Sequence, residues 1–348
     1  MRQNPPTRAR RAGFTLIEIL AVIGIIALLI TILIPVVGTA RRSATRATDS
    51  AQLRGIVQAF GSFAAGEDGR YPLPSRLDVS DQTIEGATES FQKDTTGSIF
   101  SLLLYNDFLR PDSLISPAET NAAVRDDNDY SQGAPPTLPG ARARFALWDP
   151  DFRGTPGDHV LASGTPGSAA PEGIANVSYA HAAPFGSRLR SWGTQGSSST
   201  ALISNRGPEY LDTAAVINNN ETTITFAQAP NYQDSNTLEF FTPDRLWSGH
   251  IAYNDASVEF GNTPESRKRT GSNDGEGNSF SADNAFANEN TFGGEVAARR
   301  NQIGQGVNNY LRGYTNVQVG GATDDREDAL ADVWDLTTAE ASNYMTGD

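Results

Sequence analysis

The sequence predicts an α+β protein: a long N-terminal helix packed on an antiparallel β-sheet head that carries extended loops. Three observations lead there. The 24 residues from Phe14 to Val37 hold one strongly polar side chain, Glu18. Apolar residues then recur at helical spacing through Leu53, Ile56, Val57, Phe60, Phe63 and Ala64, which extends the helix to about residue 65. Past that point the pattern changes to short alternating runs between turn residues. With 33 Gly, 19 Pro and 38% hydrophobic residues among 348, the composition is that of a loop-rich globular head rather than a helical bundle.

The apolar run exceeds the ~20 residues that span a bilayer as a helix and is longer than a signal-peptide core of ~7–15 residues. Arg2, Arg8, Arg10 and Arg11 precede it, so the positive-inside rule holds the N-terminus in the cytoplasm and sends the bulk of the chain across. Arg41 and Arg42 follow the run and weaken this bias without outnumbering the leader. Three processing routes compete. A signal peptidase would use Gly38-Thr39-Ala40, and a twin-arginine signal would use Arg10-Arg11, although its spacing to Phe14 is wrong. The third route cuts on the cytoplasmic side, after Gly13, and keeps the helix.

The string GFTLIEILAVIGIIALL behind an arginine-rich leader resembles the N-terminal signature of type IV pilins and type II secretion pseudopilins. The resemblance implies that a prepilin peptidase cleaves between Gly13 and Phe14 and methylates the new amine of Phe14. It implies that Glu18 is the signature glutamate used in assembly, and that Pro35 lies where related helices kink. Cleavage would put a positive amine one turn from Glu18, since i and i+4 share a helix face. Paired charges relieve the cost of burying either one in hydrocarbon, so Glu18 becomes a register device if its partner is a neighbouring subunit. The implied partners are the prepilin peptidase/N-methyltransferase, other pseudopilins, an inner-membrane assembly platform and, through residues 14–38, the lipid bilayer. The implied organisation is a cytoplasmic leader over 1–13, a single transmembrane helix over 14–38 and its amphipathic continuation over 39–65. A periplasmic pseudopilin-like head fills 66–348, and its segment 262–294 is expected to be a mobile loop.

Within the head, Gly66-Glu67-Asp68-Gly69 ends the long helix, and Arg70-Tyr71-Pro72-Leu73-Pro74 opens a loop. SIFSLLLYNDFLRP (98–111) reads as a short amphipathic helix stopped by Pro111, and 112–172 as loops around short extended pieces. NVSYAHA (176–182) alternates like a strand. TAAVINNNETTITF (213–226) and HIAYNDASVEF (250–260) read as hairpins. A helix is expected over Val296–Leu311, a strand over 314–320 and an acidic helix over 326–345. The order of LISPAE (114–119), NVSYAHA, ISNRGP (203–208) and NDASVEF is similar to pseudopilin-like proteins with the H-X9-DG motif. Ala256 departs from it by standing where that motif has glycine.

The net charge of -14 disfavours nucleic acid, which wants a basic face. Without the leader the charge would be near -18, since four arginines leave with residues 1–13. The absence of cysteine removes disulfides and thiol chemistry. His159, His181 and His250 share no ligand spacing, His250 beside an expected strand reads as structural, and no nucleophile turn or phosphate loop stands out. No cofactor is expected, with calcium the one ion considered. Its candidate ligands lie in RDDNDY (125–130), DPDFRGTPGD (149–158) and NDGEGN (273–278), with Asp126, Asp127, Asp129, Asp149 and Asp151 foremost. No run completes an EF-hand, because Val160 stands where the bidentate glutamate belongs. The expected function is structural rather than enzymatic: a filament subunit, or alternatively a membrane-anchored periplasmic binding or adhesive protein.

Overall fold

A computed structural model describes residues 16–79, 93–130, 132, 149, 152–155, 174–184, 186–208, 214–218, 221–225, 232, 235–242, 244–270, 281–284, 311–319 and 329–334. The chain divides into two compact units, Met1–Arg46 and Ala47–Asp348. In the first, every described residue belongs to helix α1 (Leu16–Ala65), which contains Pro35 without a break in the helical assignment. Every large apolar side chain from Leu16 to Val37 is exposed. Leu, Ile and Val surround this part of the helix on all sides, the pattern of a segment meant for a hydrocarbon or protein environment. Its hydroxyls turn inward, Thr31 Oγ1 donating to Ala27 O at 2.8 Å and Thr39 Oγ1 to Val36 O at 2.8 Å, as polar groups must where water is scarce.

The second unit is built on a six-stranded antiparallel sheet of order β10-β9-β1-β2-β5-β6. Its strands are β1 (Tyr179–Ala182), β2 (Ala201–Asn205), β5 (Gly249–Tyr253), β6 (Val258–Gly261), β9 (Leu311–Val319) and β10 (Ala329–Trp334). Two ribbons stand apart from it: β3 (Ala214–Asn218) with β4 (Glu221–Thr225), and β7 (Glu265–Thr270) with β8 (Ser281–Asn284). The apolar stripe of α1 buries Leu53, Ile56, Val57, Phe60, Phe63 and Ala64 in a core shared with α2 (Pro74–Leu77), α3 (Thr96–Tyr105) and the sheet residues Tyr179, Leu202, Ile203 and Ala252. Phe60 lies at its centre, with ring centroids 5.5 Å from Tyr71, 5.9 Å from Phe100 and 5.4 Å from Trp192. A second cluster gathers Ala180, Ala201, Leu238, Trp247, Ile251, Tyr253 and Leu311. Ala180 and Ile251 neighbour Tyr179 and Ala252 of the first core along their strands, and successive side chains take opposite faces. Both faces of the central strands are therefore covered, and β2 and β5 are buried along their whole lengths.

The helix ends at Ala65 as expected. Asp68 and Gly69 take positive φ of 52° and 76°, and Gly69 N–H donates to Ala64 O at 2.9 Å. Both expected hairpins form, with Ala214 facing Thr225 and His250 facing Phe260. α3 starts and stops earlier than Pro111 implies. Thr95 Oγ1 caps it by accepting from Ser98 N–H at 3.3 Å, and Asn106 ends it before Asp107 turns left-handed at φ 59°. Pro111 instead opens a short 3-10 turn, Pro111–Leu114.

Two expectations are corrected in the C-terminal third, and a third lies almost wholly outside the described residues. The segment 262–294, expected as a mobile loop for want of aliphatic residues, contributes strands β7 and β8. Charge and an aromatic face hold β7 where aliphatic packing is absent. Arg267 donates to Glu259 Oε1 at 2.8 and 2.7 Å and to Asp255 Oδ2 at 3.2 Å, with its guanidinium 4.1 Å from the Tyr253 ring. Leu311, placed by periodicity at the end of a helix, instead begins β9, while residues 296–310 lie outside the described set. The acidic stretch expected as a helix over 326–345 supplies β10 at Ala329–Trp334, where Ala329 faces Val319 and Trp334 faces Gly313. Pairing with β9 overrides the helical propensity of its alanines.

The turn between β5 and β6 shows why glycine is the residue of choice at position 256. Ala256 N–H donates to Tyr253 O at 2.9 Å and Tyr253 N–H to Ser257 O at 2.9 Å, a three-residue hairpin whose last position is left-handed. Ala256 adopts φ 61°, a region that costs an L residue roughly 1–2 kcal/mol. Ala256→Gly should therefore raise the stability of the head by about 1 kcal/mol after the entropy of the unfolded glycine is set against that relief, read as a higher denaturant midpoint at unchanged slope. A lower midpoint would show that the alanine methyl is held by packing instead.

Candidate functional site

Of the residues singled out in the N-terminal segment, Gly13 and Phe14 lie outside the described set. Glu18 is exposed in the first turn of α1, where the helix dipole favours a carboxylate. Pro35 sits inside the helix. Having no N–H, it leaves the Thr31 carbonyl without its usual intrahelical donor.

A second acid on the same helix went unremarked in the sequence. Asp49 is completely buried, one turn before Leu53 on the apolar stripe. Four side chains from four other segments converge on its carboxylate. Oδ1 accepts from Tyr179 Oη at 3.0 Å, from Asn205 Nδ2 at 3.0 Å and from Ser116 Oγ. Oδ2 accepts from His250 Nδ1 at 2.7 Å. The sheet register explains the convergence. Tyr179 faces Asn205 across β1 and β2, Ser204 faces Ile251 so that Asn205 lies beside His250, and His250 faces Phe260. One row of side chains across three strands thus meets one carboxylate on the helix. Asn205 Oδ1 also accepts His250 N–H at 2.7 Å, tying the row together. Burial and the negative Asp49 raise the Tyr179 phenol well above its ordinary value.

Serine, histidine and aspartate meet here, but not as a nucleophile and its base. The carboxylate stands between Ser116 and His250, and the imidazole is flanked by the Phe241 and Phe260 rings at 5.5 and 5.0 Å. The arrangement is a clamp. Beside it, Arg206 Nη2 donates to both Glu119 oxygens at 2.8 and 2.7 Å in a buried pair. Segments 114–119, 176–182 and 203–208, far apart in the chain, are thereby assembled around α1.

His250 is structural, as expected, and His181 proves to be so as well; His159 lies outside the described residues. His181 is fully buried with its Nδ1–H directed at Ala182 O, 2.9 Å away. Thr96 Oγ1 accepts Tyr314 N–H at 2.7 Å and is left to donate its proton to His181 Nε2 at 2.7 Å. Loss of water around the ring brings its pKa down to about 4.

The calcium candidates are only partly assembled. Asp126 is half-buried and Asp129 exposed, and Asp151 lies outside the described set. The Asp127 carboxyl is pushed up to about 6 by burial, by a hydrogen bond with Asp129 and by the charge of Asp149. Among the described residues no group of three or more acids or histidines is arranged to hold a metal ion.

Two consequences are measurable. Asp49→Ala leaves four buried donors without their acceptor, and breaking a buried charged pair typically costs ~3–5 kcal/mol; equilibrium unfolding should show a loss of that size, and a loss under 1 kcal/mol would refute the clamp. His181 is neutral in the folded head, so the stability it contributes is complete above pH 6.5 and is lost as pH falls toward 4. The stability difference between wild type and His181→Phe should shrink by ~3 kcal/mol across that window, and a constant difference would contradict the assignment.

Comparison with curated proteins and with solved structures returns no match. Residues 8–34 match the family model described as the prokaryotic N-terminal methylation motif. That motif implies processing by a prepilin peptidase and assembly with other pilin subunits, and the exposed apolar helix that begins within it is long and apolar enough to cross a membrane. This motif, together with an α+β architecture that suits it, supports a likeness to the type IV pilins and pseudopilins over residues 8–34.

Proposed function

We propose that the chain is a pseudopilin-like structural subunit, held in the bacterial inner membrane by residues 14–38 with its head in the periplasm, and assembled into a type II secretion pseudopilus or a type IV pilus-like filament. The observation that carries this is the union of the methylation motif at residues 8–34 with a helix whose large apolar side chains are exposed from Leu16 to Val37. Such a helix needs either lipid or the helices of other subunits around it. Cleavage after Gly13 and methylation of Phe14 prepare it for the second environment, and Glu18 supplies the docking charge. The bulk of the head favours a minor or specialised subunit. Likeness to the H-X9-DG subgroup is supported by the left-handed Ala256 and by the meeting of LISPAE, NVSYAHA and ISNRGP around Asp49.

Intact mass and N-terminal chemistry of the membrane-extracted protein test the processing step: the mature chain should begin at methylated Phe14. An N-terminus at Arg41 would leave a soluble exported domain and end the filament reading. In the same strain Glu18→Ala should insert and be cleaved, because removing a charge from an apolar span lowers its insertion cost. It should lose most subunit–subunit crosslinks. Crosslinking at the wild-type level would favour a plain membrane anchor for a binding or adhesive head.

A further inference from the structure

The first unit ends in a feature that the filament reading does not use. The last large apolar residue of the exposed run is Val37, and Gly38, Thr39 and Ala40 follow. Space around Gly38 is open, with nothing within 4 Å of an added Cβ, and Thr39 spends its hydroxyl on Val36 O. Arg41 and Arg42 come next, both exposed, and neither has a hydrogen-bond or ion-pair partner among the described residues. No acid lies between Glu18 and Asp49, and Asp49 is committed to its own four donors.

A helix rising ~1.5 Å per residue puts these arginines roughly 6–8 Å beyond Val37. That is where the hydrocarbon of a bilayer gives way to headgroups. The narrow neck of Gly38, Thr39 and Ala40 lets headgroups come close to the helix axis. Guanidinium pairs with phosphate through two parallel N–H···O bonds. We propose that Arg41 and Arg42 form a collar that binds the phosphates of anionic lipids at the membrane face where α1 emerges. This rests on the membrane anchoring proposed above, and it explains how arginines beyond the span are tolerated against the positive-inside rule: lipid phosphate neutralises them.

The test uses the full-length protein extracted with its surrounding bilayer in polymer-bounded discs from a membrane containing phosphatidylethanolamine, phosphatidylglycerol and cardiolipin. Wild-type discs should be enriched several-fold in the two anionic lipids over the bulk membrane, and R41Q/R42Q discs should match the bulk. Glutamine keeps the helix at these exposed positions, so loss of enrichment reports charge rather than unfolding. Equal lipid composition in the two proteins would overturn the proposal. If crosslinks between copies vanish in R41Q/R42Q while the lipids stay the same, the collar binds the acidic surface of a second copy instead. Recovery of the wild type in the soluble fraction would overturn the anchoring itself, an outcome distinct from either.

Discussion

The second unit depends on one buried carboxylate. Asp49 carries a charge into a place from which water is excluded, and such a charge is tolerated only if donors surround it. Four donors do, drawn from the loop at Ser116 and from three adjacent strands. Apolar packing of Leu53, Ile56 and Phe60 would hold a helix against the sheet in several registers, because it is not directional. Hydrogen bonds to two fixed oxygens are directional. A shift of one residue in β2 would turn Asn205 to the opposite face and leave the carboxylate short of a donor. The clamp thus selects one strand register and one helix rotation together.

The N-terminal features were legible because they are local. An apolar run, a basic leader and a glycine beside a phenylalanine lie within forty residues and need no fold to be recognised. The hairpins at 214–225 and 249–261 were legible for the same reason, since turn residues and alternation sit side by side. The clamp was not, because its partners reach as far as 201 positions along the chain, from Asp49 to His250. One sign was present: an acid at position 49 falls on the stripe that continues through Leu53, Ile56 and Phe60. A charged residue at a core position of an amphipathic helix calls for a buried partner set. The strand at 314–320 was legible and is β9, whereas β10 was misjudged because its Ala and Leu suit a helix until β9 offers a partner. β7 was misjudged because its support comes from Arg267 against Tyr253, Asp255 and Glu259 rather than from apolar burial.

The buried polar groups fall into two kinds. Asp49, Arg206 with Glu119, and Lys93 with Asp78 at 3.0 Å join segments distant in sequence and carry charge. His181 with Thr96 and Tyr314 joins α3, β1 and β9 through neutral groups. The charged set breaks when one member is removed. The neutral set needs its imidazole unprotonated and weakens in acid. Loss of one side chain from either set leaves a buried partner unsatisfied, and in the neutral set protonation of the imidazole has the same effect.

The strand order has a temporal meaning. β1 spans 179–182, yet its outer neighbour β9 spans 311–319. As the chain is made from its N-terminus, β1, β2, β5 and β6 can pair while the flank of β1 is still bare. That open edge waits through the residues between Gly261 and Leu311, during which it can pair with whatever strand it meets. Contacts of such sequence separation form slowly. Completion of the sheet is a late event, and the last strands serve as a seal that closes the head only once nearly the whole chain has emerged.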